Sequence, residues 1–388
     1  MTALFTHLLS FMNILKYCVS ALLGLILLAV LAITVFMHSK PFGQHPSGER
    51  LARIEQSANY RDGKFHNRLP TEVQTTDKPL WKIWYDFLFQ HVEHLVPSRP
   101  LPVVKTDLQA LPADKNFIVW FGHSSYLLQS DGTRFLVDPV LVSGSPLSFA
   151  NKMFRGTDAY RPADMPEFDY LVITHDHWDH LDYDAVIQLQ PKMKEKVITS
   201  LGVGAHLEYW GYPADNIIEL DWRDEYVLKT GFKMTALPAR HFSGRGLRRD
   251  KTLWSSFMLE TPTETVYIGG DSGYDPIYRE IGERYNITLA LLENGQYNRD
   301  WANIHIMPEQ LVQAVKELHP KRLMTVHHSK FALGRHDWRA PLQTVYEHAR
   351  EAHFNLFTPK IGEVFYFDED RETDSPKFRE NWWKDVEK

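Results

Sequence analysis

The segment Thr174-His175-Asp176-His177-Trp178-Asp179-His180 puts three imidazoles and two carboxylates within six consecutive residues. It directly follows the apolar run Tyr170-Leu171-Val172-Ile173, so these side chains fan out where a strand leaves a sheet. Imidazole nitrogen and carboxylate oxygen are metal donors, and together they suit zinc, iron, manganese or cobalt. A structural zinc finger would draw on cysteine, and the chain has one cysteine, Cys18, far from this cluster. Three further polar residues stand just past apolar runs. His241 closes Thr235-Ala236-Leu237-Pro238-Ala239-Arg240, Asp271 follows Tyr267-Ile268-Gly269-Gly270, and His327 follows Leu323-Met324-Thr325-Val326. Each alone would be an ordinary loop residue; with the cluster they supply ligands for two metals. Two metals about 3.5–4 Å apart can hold a bridging hydroxide, with a water pKa near 7, against an attacked phosphoryl group.

The elements that must position these groups are legible from texture. Strands are expected at 117–120, 126–129, 134–137, 170–173, 233–237, 256–259, 265–269, 289–292, 322–326 and 364–367. Helices are expected at 184–190, 203–210, 308–318 and 342–352. Hairpins come early, strands and helices then alternate, and the class is α/β with sheets covered by helices. The stretch 41–115, with scattered proline, glycine and charge, is expected as an extension. Within it Trp81, Trp84, Tyr85 and Leu88 recur at helical spacing, as a helix packed on the main domain or as an interfacial aromatic belt.

The chain has 388 residues, enough for one large domain or two ordinary ones. Its net charge of −6 argues against a nucleic-acid partner. The charge is uneven: residues 1–40 contain Lys16, Lys40 and no acid, leaving −8 on the remainder. Tyr17–Met37 is a run of 21 uncharged residues, about 31 Å long as a helix and matched to a bilayer core of about 30 Å. No small-residue cleavage pattern ends it, so a single-pass membrane anchor is expected rather than a cleaved signal. Flanking charges are nearly balanced and leave either side of the membrane open to the body. The expected organisation is an anchor segment (1–40), an extension (41–115) and one large domain (116–388) that carries the histidine cluster.

The order H-x-H-x-D-H, then His241, Asp271 and His327, resembles the metallo-β-lactamase fold hydrolases. The resemblance is closest to the N-acylphosphatidylethanolamine-hydrolysing phospholipase D branch and to ascorbate-6-phosphate-lactonase-like proteins. It extends to Trp120-Phe121-Gly122-His123, Leu136-Val137-Asp138-Pro139, Pro238-Ala239-Arg240-His241-Phe242, Gly270-Asp271-Ser272-Gly273-Tyr274 and His305-Ile306-Met307-Pro308-Glu309. It covers roughly 116–367 and, more loosely, 65–70. The resemblance implies a four-layer αβ/βα sandwich, here preceded by one transmembrane helix. It implies two divalent metal ions, zinc, with His175, His177 and His241 on one, Asp179, His180 and His327 on the other, and Asp271 bridging. The family's Trp-Gly pair after the last histidine is replaced by His328-Ser329, which makes His328 an alternative to His327.

The expected activity is that of a membrane-anchored, metal-dependent hydrolase. Asp179 and Asp271 would serve the metals and the nucleophile, and His305 would contact phosphate or protonate the leaving oxygen. A phospholipase D-like phosphodiesterase acting on N-acyl phosphatidylethanolamine-type lipids fits the anchor. A lactonase or a phosphodiesterase for soluble substrates is the alternative, and a membrane scaffold with a structural metal pair fits least. His123 is expected to support ligands or packing, Asp138 to orient a ligand histidine, and Tyr297 and Trp301 to line the pocket or the core.

Overall fold

The structure, a computed structural model, describes residues 2–147, 151–367 and 381–387. Met1 of the expected anchor segment, and 148–150, 368–380 and Lys388 of the domain expected over 116–388, lie outside the described residues. The chain divides into two compact units, Met1–Gly43 and Gln44–Lys388. In the first, α1 (Thr2–Met37) begins well before the uncharged run expected to form it. Within Ser10–Met37 an 18-residue window reaches a mean hydropathy of 2.8 with no buried side chain, which makes the helix long and apolar enough to cross a membrane. A short 3-10 turn follows and stops at Gly43, whose φ of +73° suits glycine.

Residues 44–115, expected as an extension, fall within the second unit. The physical reason is a small core that they share with later segments. Ile54, at the end of α2 (Gly48–Ile54), and Phe65 pack with Leu201, Trp222, Ala239, Leu253 and Trp254. Phe65 lies in a hairpin of β1 (Tyr60–Arg61) and β2 (Lys64–Phe65). Its Asp62-Gly63 turn has positive φ at both residues, as a tight hairpin requires. In α3 (Leu80–Phe89), Trp81, Trp84, Tyr85 and Leu88 face outward, whereas Ile83 and Phe87 are partly covered. The aromatic stripe is therefore on the open side of that helix.

Two seven-stranded sheets make the body. The first is formed by β3 (Phe117–Trp120), β4 (Tyr126–Ser130), β5 (Thr133–Val137), β6 (Phe168–Ile173), β7 (Met193–Ser200) and β8 (Ile217–Leu220). α4 (Tyr183–Leu189) and α5 (Gly204–Tyr209) connect its parallel strands. The second contains β9 (Glu225–Lys229), β10 (Phe232–Pro238), β11 (Ser255–Glu260), β12 (Thr265–Ile268), β13 (Leu289–Glu293), β14 (Leu323–Val326) and β15 (Leu356–Phe357). Its crossovers are α6 (Ile277–Arg284), α7 (Pro308–Leu318) and α8 (Ala340–Ala352). The last strand, β16 (Val364–Tyr366), returns to the first sheet beside β3. Both sheets show the same pattern, three antiparallel pairings followed by three parallel ones.

Alternation of side chains assigns the layers. Phe257, Leu259, Val266, Ile268, Leu289 and Leu291 turn into the core between the sheets. Their neighbours Met258, Tyr267, Ala290 and Leu292 face α6, α7 and α8 through Ile277, Tyr278, Leu311, Leu318 and Val345. A strand buried on both faces must be apolar at every position, and Leu289–Leu292 is apolar throughout. The result is the expected four-layer αβ/βα sandwich.

Candidate metal centre

The histidine cluster leaves β6 at Thr174, and its loop is fastened along its whole length. Thr174 donates from its amide and its hydroxyl to the two oxygens of Asp138, at 2.9 and 2.7 Å. Asp176 points away from the other donors and accepts from Thr252 Oγ1 (2.8 Å) and the Gly244 amide (2.6 Å), with His206 Nε2 3.1 Å away. The buried Arg245 donates to the carbonyls of Asp176 and Leu181 while lying over the Trp178 ring at 3.9 Å. At the far end Asp182 caps α4 through Ala185 N and also accepts from the amides of Leu141, Val142 and Ser143. Ligand positions set this tightly lose little freedom on binding.

The predicted ligands converge into two groups joined by one carboxylate. His175 Nε2 and His241 Nε2 lie 2.9 and 3.1 Å from His177 Nδ1. A tetrahedral ion with bonds of about 2.1 Å spaces its donors about 3.4 Å apart. His180 Nε2 and His327 Nδ1 lie 3.2 and 3.1 Å from Asp271 Oδ1, while His175 and His241 face Asp271 Oδ2 at 3.9 and 3.7 Å. Asp179 stands 3.9 Å from His180 Nε2 and 2.9 Å from His123 Nε2. Backbone shape helps: Gly270, at φ +60°, leaves no room for a Cβ, which would sit 2.9 Å from the Ser255 carbonyl and 3.1 Å from the Thr174 side chain. His123, Asp138 and His327 all take positive φ, and the His327 amide donates to His123 O while the His123 amide donates to His328 O.

Protonation suits metal binding. Burial drives His175, His241 and His327 well below the usual imidazole range, which keeps the neutral, ligating form. Burial raises the carboxyl of Asp271, but the charges of His180 and the surrounding rings outweigh it and hold the group near 2. Asp179 is likewise held low, against burial, by its bond to His123 and by His180. His180 moves the other way. Burial lowers it, yet Asp271 and Asp138 on its two sides raise it well above normal, so positive charge is wanted between those carboxylates. His180 Nε2 and Asp271 Oδ1 are buried and, although close, not aligned for a hydrogen bond. Two orphaned donors around a point that attracts positive charge fit a cation.

The supporting groups set the tautomers. The Nδ1 of His180 lies 2.8 Å from Asp138 Oδ2, and the Nδ1 of His241 lies 2.8 Å from the Ile304 carbonyl. A proton on each Nδ1 leaves the Nε2 lone pair for an ion. His327 is in the cluster, whereas His328 is turned away: its ring nitrogens meet Ser329 Oγ and the Thr325 carbonyl, and it packs on Trp120. His305 lies beside His241 and stacks on His327, with centroids 5.1 and 5.2 Å apart. Its Nδ1 is 2.7 Å from Glu293 Oε2. Glu293 was missed in the sequence. It also accepts from the amides of Ser272 and Ile306, and burial pushes its carboxyl up to about 7. The signal that found Asp271 and His327 was available for it: Glu293 ends an apolar strand, Leu289-Ala290-Leu291-Leu292. Tyr297 is buried against His336 and Trp301 donates to the Gln296 carbonyl; neither lines the cavity beside His241. That cavity, about 350 Å³, is lined by Arg61, Lys64, His66, Asn67, Arg68, Phe242 and Trp254 among others.

These features define a metal-dependent hydrolase centre at the edge of two facing sheets. A family model described as a beta-lactamase superfamily domain matches residues 133–328, and the chain belongs to that superfamily, with the metallo-β-lactamase fold. An uncharacterised protein of Mycobacterium bovis is 37% identical over 315 residues, 80% of this chain and 84% of that one. N-acyl-phosphatidylethanolamine-hydrolyzing phospholipase D 1 of Caenorhabditis elegans is 33% identical over 238 residues, 56% of this chain and 65% of that one. Among solved structures, a metallo hydrolase from the archaeon Ignicoccus hospitalis shares the fold, with a TM-score of 0.52 and 21% identity over 65% of this chain and 98% of that one.

Proposed function

We propose that the protein is a membrane-anchored, phospholipase D-like phosphodiesterase that acts on N-acyl phosphatidylethanolamine-type lipids with two divalent ions, zinc. The observation that carries the reading is Asp271, whose two oxygens face two separate donor groups, His175/His241 on one side and His180/His327 on the other. The likeness to the C. elegans phospholipase supports the substrate class, and the apolar helix α1 supports delivery from a membrane. Two divalent ions, when bound, supply Lewis acidity that makes water nucleophilic near neutral pH and offsets charge on the attacked phosphoryl group.

The chain's own residues divide the rest of the work. His175, His177 and His241 would hold one ion, Asp179, His180 and His327 would hold the other, and Asp271 would contribute to both. Asp179, kept ionised and braced by His123, orients the attacking water. His305, held by Glu293 beside the two donor groups, gives a proton to the departing oxygen. The test is full-length, metal-loaded protein given N-acylphosphatidylethanolamine, phosphatidylcholine or acyl lactones, with products identified by mass. The expected products are phosphatidic acid and the N-acyl amino alcohol. Asp271→Ala should lower the rate on the order of 10³-fold, the worth of several kcal/mol of charge stabilisation. Turnover of lactones alone, or full activity in folded Asp271→Ala, defeats the reading.

A further inference from the structure

We infer that the rim of the cavity beside His241 is a docking surface for anionic phospholipid, through which a bilayer presents its lipid to the metal centre. The inference rests on the phospholipid reading above. Residues 41–388 carry −8, and on that charge alone an anionic bilayer would be repelled. The charge is not evenly spread. Arg61, Lys64 and Arg68 come from the β1–β2 hairpin and the loop after it; Arg248, Arg249 and Lys251 come from the segment before β11. The backbone joins the two segments: the Phe65 amide donates to the Asp250 carbonyl at 2.8 Å, and Lys251 Nζ donates to the Gly63 carbonyl. Against these six cations stand Asp62, Asp250 and Glu280, the last an exposed partner of Arg68 at 3.6 Å. The patch stays locally positive on an acidic body.

Two further observations connect it to lipid and to the centre. Leu247, between Gly246 and the Arg248-Arg249 pair, is 87% exposed. An apolar side chain held out among cations is costly in water and suited to the boundary between headgroup and acyl chain. Arg249 lies over the Phe242 ring at 5.1 Å, and Phe242 meets His177 edge to face at 4.4 Å. The patch is one aromatic ring away from a metal ligand, and Arg61, Lys64 and Arg68 line the cavity itself. A nucleic acid would meet the same cations but has no use for the leucine.

The test uses full-length, metal-loaded protein in neutral detergent micelles containing the N-acyl phospholipid, with or without phosphatidylglycerol. Each cation near an anionic surface is worth about fivefold in association. Wild type should turn lipid over faster with phosphatidylglycerol, and the ratio should fall as salt rises. The triple variant Arg248→Glu, Arg249→Glu, Lys251→Glu should lower that ratio at least tenfold. If it fails to fold, Arg248→Gln with Lys251→Gln should lower it by a smaller, measurable factor. A variant ratio equal to wild type overturns the inference. So does competition by inorganic phosphate that is lost in the variant while the lipid ratio persists, because the patch is then a small-anion site. Hydrolysis of a soluble phosphodiester by wild type separates the two failures. Its absence together with lipid turnover's absence strikes the proposed function, and its presence with an unchanged lipid ratio strikes the docking surface alone.

Discussion

Asp138 is where a single atom can be changed with a calculable result. It is buried, its Oδ1 accepts from the Thr174 amide, and its Oδ2 faces both Thr174 Oγ1 (2.7 Å) and His180 Nδ1 (2.8 Å). Asp138→Asn keeps the size and tolerates the positive φ of this position. It replaces one acceptor oxygen by an NH2 group. With the nitrogen facing His180, two donors meet unless the ring proton moves to Nε2, the atom that faces Asp271. With the amide flipped, the nitrogen meets the Thr174 amide instead, and a buried donor is left unpaired. Either arrangement weakens the His180 side of the centre. Loss of a carboxylate that orients a metal-binding histidine costs 10- to 100-fold in affinity, or about 1.4–2.8 kcal/mol. The assay is competition against a fluorescent zinc chelator, which resolves the tighter and weaker ions, with circular dichroism to check folding. The ion proposed at Asp179, His180 and His327 should lose affinity in the variant, and the ion proposed at His175, His177 and His241 should not. His328→Gln, changed at a ring that points elsewhere, is the control and should bind as wild type. Wild-type affinity for both ions in folded Asp138→Asn would refute the reasoning.

Two other outcomes are expected. Lys330 is buried with one bond, to the Phe121 carbonyl at 3.0 Å, and burial depresses its pKa from 10.5 to about 7. Between those values the unfolded chain binds more protons, so stability falls as pH drops from 10.5 to 7, by at most about 5 kcal/mol. Lys330→Met should remove that cost but lose a hydrogen bond worth about 1–2 kcal/mol, raising stability at pH 7 by about 3 kcal/mol. Urea midpoints of the two proteins should converge and then cross as pH rises towards 10.5, and a gap that does not change with pH would contradict it. His305→Gln should slow release of an alkoxide about 10²- to 10⁴-fold and leave a nitrophenolate diester, which departs without a proton, nearly unaffected. Equal loss on both substrates would remove the acid role from His305.

The centre is legible because metal donors are rare in apolar sequence and fall at strand ends, where each stands out as an interruption. Glu293 escaped because one acid after four apolar residues is common, and only the fold brings His305 to it. Strands with an unbroken apolar run beside a turn, such as β3 and residues 170–173 of β6, are visible by composition. β7 is not, because Lys194, Glu195 and Lys196 open it on the solvent side, and neither is β9, an edge strand whose exposed and half-buried residues alternate. α6 carries a readable stripe, Ile277, Tyr278 and Ile281, but its glycine and charges read as loop. The shared pairing pattern of the two sheets leaves no repeat in the sequence, since packing constrains size and polarity rather than identity. Residues 44–115 read as an extension because their apolar residues are few; those few reach a core assembled mostly by other segments.

The return of β16 to the side of β3 has a consequence for the order of assembly. The chain emerges from its amino end, and domains fold as they are made. Here the first sheet begins with residues near 117 and lacks its edge until residues 364–366 arrive. The donors are split in the same way: His175, His177, Asp179 and His180 follow β6, and His241, Asp271 and His327 follow β10, β12 and β14 in turn. A partly synthesised chain has neither a closed sheet nor a complete ligand set. Hydrolytic power is thus withheld from the nascent chain by topology alone.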